Sequence, residues 1–251
     1  NYKGMADRSA RLIQDEFLIN ADTWRMFVEQ YRTFPDDQNL GWKCEYWGKM
    51  MRGACFTYSY TQNEELYRIL ERTVRDLLTT QDVFGRIATY SVTNEFHGWD
   101  LWGRKYVMLG LQYFLEICRD DGLADSVVDA LKKQADYICA KIGNDEIGKM
   151  PVTNTSEWWN GLNSSSILEP FVRLYELTGE QRYLDFSKKI IDCGGTRGFN
   201  IFDAALEGKL YPYEYPVTKA YEMISNFEGV LEYYRVTGEK KYRTMALNFA
   251  R

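Results

Sequence analysis

Four clusters in this chain mix aromatic rings with carboxylates and amides. They are Trp42, Glu45, Tyr46 and Trp47; Asn94-Glu-Phe-His-Gly-Trp-Asp-Leu-Trp-Gly-Arg-Lys105; Glu157-Trp-Trp-Asn-Gly-Leu-Asn-Ser-Ser-Ser166; and Lys219-Ala-Tyr-Glu-Met-Ile-Ser-Asn-Phe-Glu228. Flat rings cover the apolar faces of sugars, and carboxylates and amides bind hydroxyls in pairs, so the mixture suits a polyhydroxylated ligand. Among the carboxylates, Asp100 and Glu222 are the candidates for acid/base work. Asp100 has a second reading, as a helix cap. Glu222 and Glu228 are six positions apart and do not share a helix face, so at most one reaches a common cleft. Arg104 and Lys105 read as partners for neighbouring carboxylates, and Ser164-Ser-Ser166 as an N-cap.

Other chemistries find little support. His97 is the only histidine, so neither a histidine-based metal site nor a Ser-His-Asp arrangement can be built. Gly194-Gly-Thr-Arg-Gly198 lacks the lysine that a phosphate-cradling loop needs. The five cysteines (Cys44, Cys55, Cys118, Cys139 and Cys193) form no closely spaced pair and read as buried thiols, with no metal held by this chain. They do not set the compartment, which stays open between periplasmic, extracellular and cytoplasmic.

The elements that must position these clusters follow from a repeat. Phe171-Val-Arg-Leu-Tyr-Glu-Leu-Thr-Gly-Glu-Gln-Arg-Tyr183 and Val230-Leu-Glu-Tyr-Tyr-Arg-Val-Thr-Gly-Glu-Lys-Lys-Tyr242 share one pattern, and two weaker copies lie upstream. The punctuating residues Asn63, Gly122, Gly179 and Gly238 are 59, 57 and 59 positions apart and read as left-handed helix C-caps. The chain thus reads as all-α: a lead-in helix over Asp7–Tyr31 and a loop within residues 1–41, then four helical hairpins over 42–251. The pairs run from about Trp42 to Tyr60 and Glu64 to Thr80; Trp99 to Cys118 and Asp125 to Ile142; Ser165 to Leu177 and Gln181 to Cys193; and Thr218 to Val236 and Lys240 onward. The first helix of each pair is apolar nearly all round and belongs inside; the second carries one apolar stripe and belongs outside. Inner-to-outer turns are short. The return connectors are long, mutually unlike and rich in Gly, Trp and Tyr, which favours a shaped pocket on one face of an (α/α)6-type toroid. Six units of this period need roughly 350 residues, so the chain reads as about two-thirds of a ring.

The bulk properties set limits. Net charge is −5, which argues against nucleic-acid or anionic-membrane partners. No apolar run reaches the roughly 18 residues of a membrane span. The opening Asn1-Tyr-Lys-Gly-Met-Ala-Asp7 has no apolar signal core and reads as a processed chain or a fragment. Nineteen Tyr and seven Trp leave two readings, a Tyr-rich helical core or a sugar-binding cleft. Oligomeric state is not written in the sequence.

Three strings carry a family resemblance. They are Gly98-Trp-Asp-Leu-Trp-Gly-Arg-Lys-Tyr-Val-Met-Leu-Gly-Leu111, Asn163-Ser-Ser-Ser-Ile-Leu-Glu-Pro-Phe-Val-Arg-Leu-Tyr-Glu-Leu-Thr-Gly179 and Lys219-Ala-Tyr-Glu-Met-Ile-Ser-Asn-Phe-Glu-Gly-Val-Leu-Glu-Tyr-Tyr-Arg-Val-Thr-Gly238. In this order they resemble the β-L-arabinofuranosidases of glycoside hydrolase family 127. The resemblance implies an (α/α)6 catalytic barrel and retaining hydrolysis of a terminal furanoside on a plant or bacterial glycan. It implies a zinc-bound cysteine nucleophile and a glutamate acid/base, both expected beyond Arg251. Zinc is therefore expected of a full-length protein and not of this chain. Where the family carries histidines at inner-helix starts, this chain has Trp99-Asp100, Ser164 and Lys219. The resemblance and the clusters together give an expected carbohydrate-facing wall of Trp47, His97, Trp99, Asp100, Trp102, Trp158, Ser164, Lys219 and Glu222. Two alternatives stand beside it: another α/α-toroid enzyme of the unsaturated uronyl hydrolase type, using Asp100, and a non-catalytic carbohydrate-binding or interaction module.

Overall fold

The computed structural model describes residues 3–144 and 146–251. Asn1 and Tyr2, which begin the segment read for a targeting signal, and Asp145 in the second long connector lie outside the described residues. The lead-in is two helices, not one. α1 (Met5–Ile13) runs into a π-helical turn at Gln14–Leu18, and α2 (Ala21–Thr33) starts afresh. The break falls at Asn20, whose side chain accepts from Asp22 N (3.1 Å) and Thr23 N (3.3 Å), a local N-cap that outcompetes helix continuation.

Four hairpins follow. They are α3 (Tyr46–Thr61) with α4 (Glu64–Leu78), α5 (Asp100–Leu115) with α6 (Asp121–Lys141), then the short α7 (Leu162–Ser165) and α8 (Leu168–Thr178) with α9 (Gln181–Asp192). A small antiparallel ribbon, β1 (Gly195–Thr196) and β2 (Phe199–Asn200), and α10 (Ile201–Glu207) fill the third connector. The fourth pair is α11 (Ala220–Thr237) with α12 (Lys240–Phe249).

The Thr-Gly-Glu punctuation has one mechanism in both clear copies. Gly179 (φ 69°) and Gly238 (φ 72°) take the left-handed conformation, and their N–H groups donate to Tyr175 O (2.7 Å) and Tyr234 O (2.8 Å). Thr178 Oγ1 accepts from Glu180 N (3.2 Å) and Thr237 Oγ1 from Glu239 N (3.4 Å), turning the chain into the outer helix. The tyrosine that follows packs on the inner helix, Tyr183 on Phe171 and Tyr242 on Tyr233, with ring centroids 6.3 and 4.8 Å apart. The weaker copies depart from this. Asn63 is the N-cap of α4, accepting from Leu66 N (3.0 Å), and the left-handed residue is Gln62 (φ 54°). Gly122 lies inside the first turn of α6, because Asp120 caps that helix through Leu123 N (3.0 Å).

The inner helices α3, α5, α8 and α11 form an arc, with α4, α6, α9 and α12 outside it. α5 is buried from Asp100 to Phe114. It meets α3 at backbone distance: a Cβ on Gly48 would stand 1.9 Å from Tyr106 O. At the far edge, Met223, Ile224, Phe227 and Leu231 of α11 and Phe249 of α12 line an apolar groove of about 850 Å³.

The three long connectors meet on one end of the arc. Asn163 Nδ2 donates to Gly98 O (2.9 Å), and Arg197 N donates to Asn160 O (2.9 Å). The lead-in loop joins them through Asp36, which is fully buried. It accepts from Thr89 Oγ1 (2.6 Å) and Cys44 N (3.1 Å). No helix of the described residues is long and apolar enough to cross a membrane.

Candidate functional site

The connector end holds a cavity of about 320 Å³, built mostly from inner-helix starts. Trp42, Glu45 and Lys49 come from the approach to α3 and its first turn. Trp99 and Trp102 come from the start of α5, Trp159 from the second connector, and Lys219, Tyr221 and Glu222 from the start of α11.

The indoles form a row. Trp99 stands edge-on to Trp42, Trp102 and Trp159, with centroids 6.2, 5.6 and 5.5 Å away. Trp102 is buried at one end and donates its indole N–H to Glu45 Oε2. Glu45 Oε1 also takes Lys49 Nζ at 2.9 Å. That ammonium lies over the rings of Trp102, Tyr106 and Tyr221 at 5.4, 4.7 and 4.8 Å, a cation–π cage. Glu222 is 2% exposed, and its Oε2 has no hydrogen-bond partner among the described residues. Burial raises its pKa; Lys219 and Lys49 oppose the shift and Glu45 adds to it. Lys219 Nζ lies 4.9 Å from the Trp159 ring. The cavity thus offers apolar faces, an uncommitted buried carboxyl oxygen and two ammonium groups.

Backbone strain collects around the same cavity. Among the described residues, six other than glycine have positive φ: Phe34 and Gln62, which end helices, and Leu40, Phe96, Trp159 and Asn160, which lie in the loops leading to Trp42, Trp99 and the second connector's indoles. Such conformations cost about 1 kcal/mol or more each and persist where surrounding contacts impose them.

The expected wall divides. Trp99, Trp102, Lys219 and Glu222 line the cavity. His97 and Trp158 are outside its lining: His97 Nδ1 is 3.3 Å from Glu157 Oε1, and Trp158, 42% exposed, packs against the cavity-lining Trp159 at 6.3 Å. Three expected residues lie elsewhere. Trp47 is in the core, donating its indole N–H to Thr73 Oγ1 (3.0 Å) on α4. Asp100 is 1% exposed and faces away from the cavity. It accepts from Arg104 Nε (2.9 Å), Arg104 Nη2 (2.8 Å) and Phe96 N (2.8 Å). Ser164 is fully buried, because helix α7 begins two residues before it and turns it into the packing. Glu228, the other α11 carboxylate, lies on the apolar groove instead. Arg104 pairs with Asp100 and Glu95, and Lys105 faces Glu169 at 4.0 Å. Lys49 was missed by the sequence reading; its signal is its place one helical turn after Glu45.

The zinc ion that the resemblance implies has no ligand set among the described residues. Among those residues no three His, Cys, Asp or Glu side chains are grouped so as to hold a metal ion. Cys44 Sγ donates to Trp99 O (3.4 Å) and Cys55 Sγ to Met51 Sδ (3.6 Å), in separate packing environments. Burial pushes both thiols up, and Cys139 to about 12, the opposite of what a thiolate ligand needs.

The family model for the β-L-arabinofuranosidase GH127 catalytic domain matches residues 13–251. Among solved structures, a GH127 β-L-arabinofuranosidase from Geobacillus stearothermophilus T6 superposes with a TM-score of 0.71 at 16% identity, over 100% of this chain and 44% of that one. A GH127 β-arabinofuranosidase gives 0.63 at 18% identity, over 96% and 38% of the two chains. A further glycoside hydrolase gives 0.57 at 18% identity, over 88% and 34%. At these identities the likeness is one of fold. The chain spans less than half the length of each of these structures. No curated protein matches it.

Proposed function

The chain belongs to the GH127 β-L-arabinofuranosidase catalytic-domain family, and from that premise we propose that its gene product is a glycoside hydrolase acting on a terminal furanoside, with the cavity between α3, α5 and α11 as part of its sugar-binding site. The observation that carries this reading is the indole row of Trp42, Trp99, Trp102 and Trp159 beside the buried Glu222 carboxyl, whose Oε2 is free to accept a sugar hydroxyl. The rings cover the apolar face of the sugar while Glu222 and Glu45 accept hydrogen bonds from its hydroxyls, and burial keeps water from competing.

The unsaturated uronyl hydrolase alternative put acid/base work on Asp100. That carboxylate is locked to Arg104 away from the cavity, so the geometry does not favour it. The test is hydrolysis of a panel of 4-nitrophenyl furanosides and pyranosides by the intact gene product. β-L-Arabinofuranosides or closely related furanosides are expected to be cleaved with retention. Binding without turnover on the whole panel would instead support a carbohydrate-binding module, and neither binding nor turnover would end the sugar reading.

A further inference from the structure

The indole row does not stop at the cavity. It continues from Trp159 to Trp158, whose ring centroid is 6.3 Å away at 45°, and Trp158 is outside the cavity lining with 42% of its surface exposed. The cavity itself, at about 320 Å³, is at the small end for ligand sites and is closed at depth by buried Trp102 and Glu222. Trp158 therefore adds an exposed indole directly beside the cavity-lining Trp159.

The backbone at Trp158 is held by its surroundings. The main-chain N–H of Trp158 donates to Ser156 Oγ (3.1 Å), and Ser156 O accepts from Arg197 Nη1 (2.9 Å) of the third connector. The adjacent Glu157 Oε2 accepts from Gly98 N (3.0 Å), and its Oε1 lies 3.3 Å from His97 Nδ1. The next two residues, Trp159 (φ 45°) and Asn160 (φ 55°), are in the left-handed region. The backbone around this solvent-exposed indole is thus tied to the first and third connectors, and the ring itself leans on Trp159, leaving a flat apolar surface open. His97 and Glu157 flank it with side chains 52% and 51% exposed, available to hydroxyls.

We propose that Trp158, with His97 and Glu157, forms an outer subsite that stacks the second sugar ring of the substrate, on the leaving-group side, so that the gene product selects di- or oligosaccharides over simple glycosides. This rests on the cavity being a sugar site. The roles divide accordingly: the cavity takes the terminal ring, and the rim reads what that ring is attached to.

The test is calorimetric titration of the intact gene product, wild type and Trp158→Ala, with methyl β-L-arabinofuranoside as the one-ring probe and a β-L-arabinofuranosyl disaccharide as the two-ring probe. The wild type is expected to bind the two-ring probe about tenfold more tightly, Trp158→Ala to lose that gain while keeping one-ring affinity, and Trp158→Tyr to retain most of it. Equal wild-type affinity for both probes overturns the subsite while leaving the cavity reading intact, as does an unchanged two-ring preference in Trp158→Ala. Equal weakening of both probes by Trp158→Ala shows a structural role and also overturns it. Silence of both probes in the wild type removes the cavity reading and the subsite together.

Discussion

The phenol oxygens of Tyr106 and Tyr221 lie 2.7 Å apart and join α5 to α11, two inner helices whose contributing residues are 115 positions apart in the chain. Lys49 from α3 sits over both rings, so three inner helices converge on one contact beneath the cavity. Tyr106 is buried and Tyr221 half-exposed. Tyr221→Phe removes the bond while keeping the ring, and is expected to cost about 1 kcal/mol, read as a lowered Tm with an unchanged circular dichroism spectrum.

Glu222 gives a pH signature. Burial raises its folded-state pKa above the ordinary 4.5, so the folded chain holds this proton more tightly than the unfolded chain does. The stabilisation is fully present below 4.5 and is lost as pH rises through the raised value. Glu222→Gln therefore flattens this part of the pH–stability curve and is more stable than the wild type at neutral pH, while sugar binding weakens because an amide replaces the carboxylate acceptor. Thermal melts from about pH 4 to 8, spanning the ordinary and raised carboxyl range, check the first half, and a binding titration checks the second.

Lys105 carries the opposite sign. It is 1% exposed, and burial lowers its pKa from 10.5 to about 8, against the pull of Glu169. In the window between those values the unfolded chain binds the additional proton, so this group's contribution to stability rises with pH and falls away as pH drops through about 8. The full penalty is on the order of 3 kcal/mol. Lys105→Met removes the pH dependence, and denaturant midpoints at about pH 7 and pH 10, on either side of the shifted value, report it.

Asp100→Asn separates structure from catalysis. Asp100 neutralises Arg104, which has no exposed side-chain surface, and half-removing a buried pair costs about 3 kcal/mol or more. The variant is expected to lose that much stability yet keep turnover within a few-fold at temperatures where it remains folded. A folded variant with turnover abolished would return acid/base work to Asp100.

Much of this was legible in the sequence because local chemistry was decisive there. Thr178-Gly179-Glu180 and Thr237-Gly238-Glu239 each encode a helix stop, a turn and a restart, and the run from Tyr106 to Leu115, apolar but for Gln112, marks the buried helix α5. Rotation about each helix was harder to read. At about 100° per residue, Glu45 and Lys49 share a face, and Trp47 between them points into the core. Trp99 and Trp102 likewise share the cavity face that Asp100 leaves. Asn63 and Gly122 were misassigned for a different reason: side-chain caps at Asn63 and Asp120 fix those helix starts, so neither residue takes the left-handed position.

Trp99 touches the other three indoles that line the cavity, which places it at the heart of the proposed sugar site. The most direct measurement is titration of the intact gene product and its Trp99→Ala variant with methyl β-L-arabinofuranoside, followed by indole fluorescence. A saturable change in the wild type, weakened about tenfold or more in the variant, is the predicted result. An unresponsive wild type, or a variant that binds as the wild type does, would contradict the account.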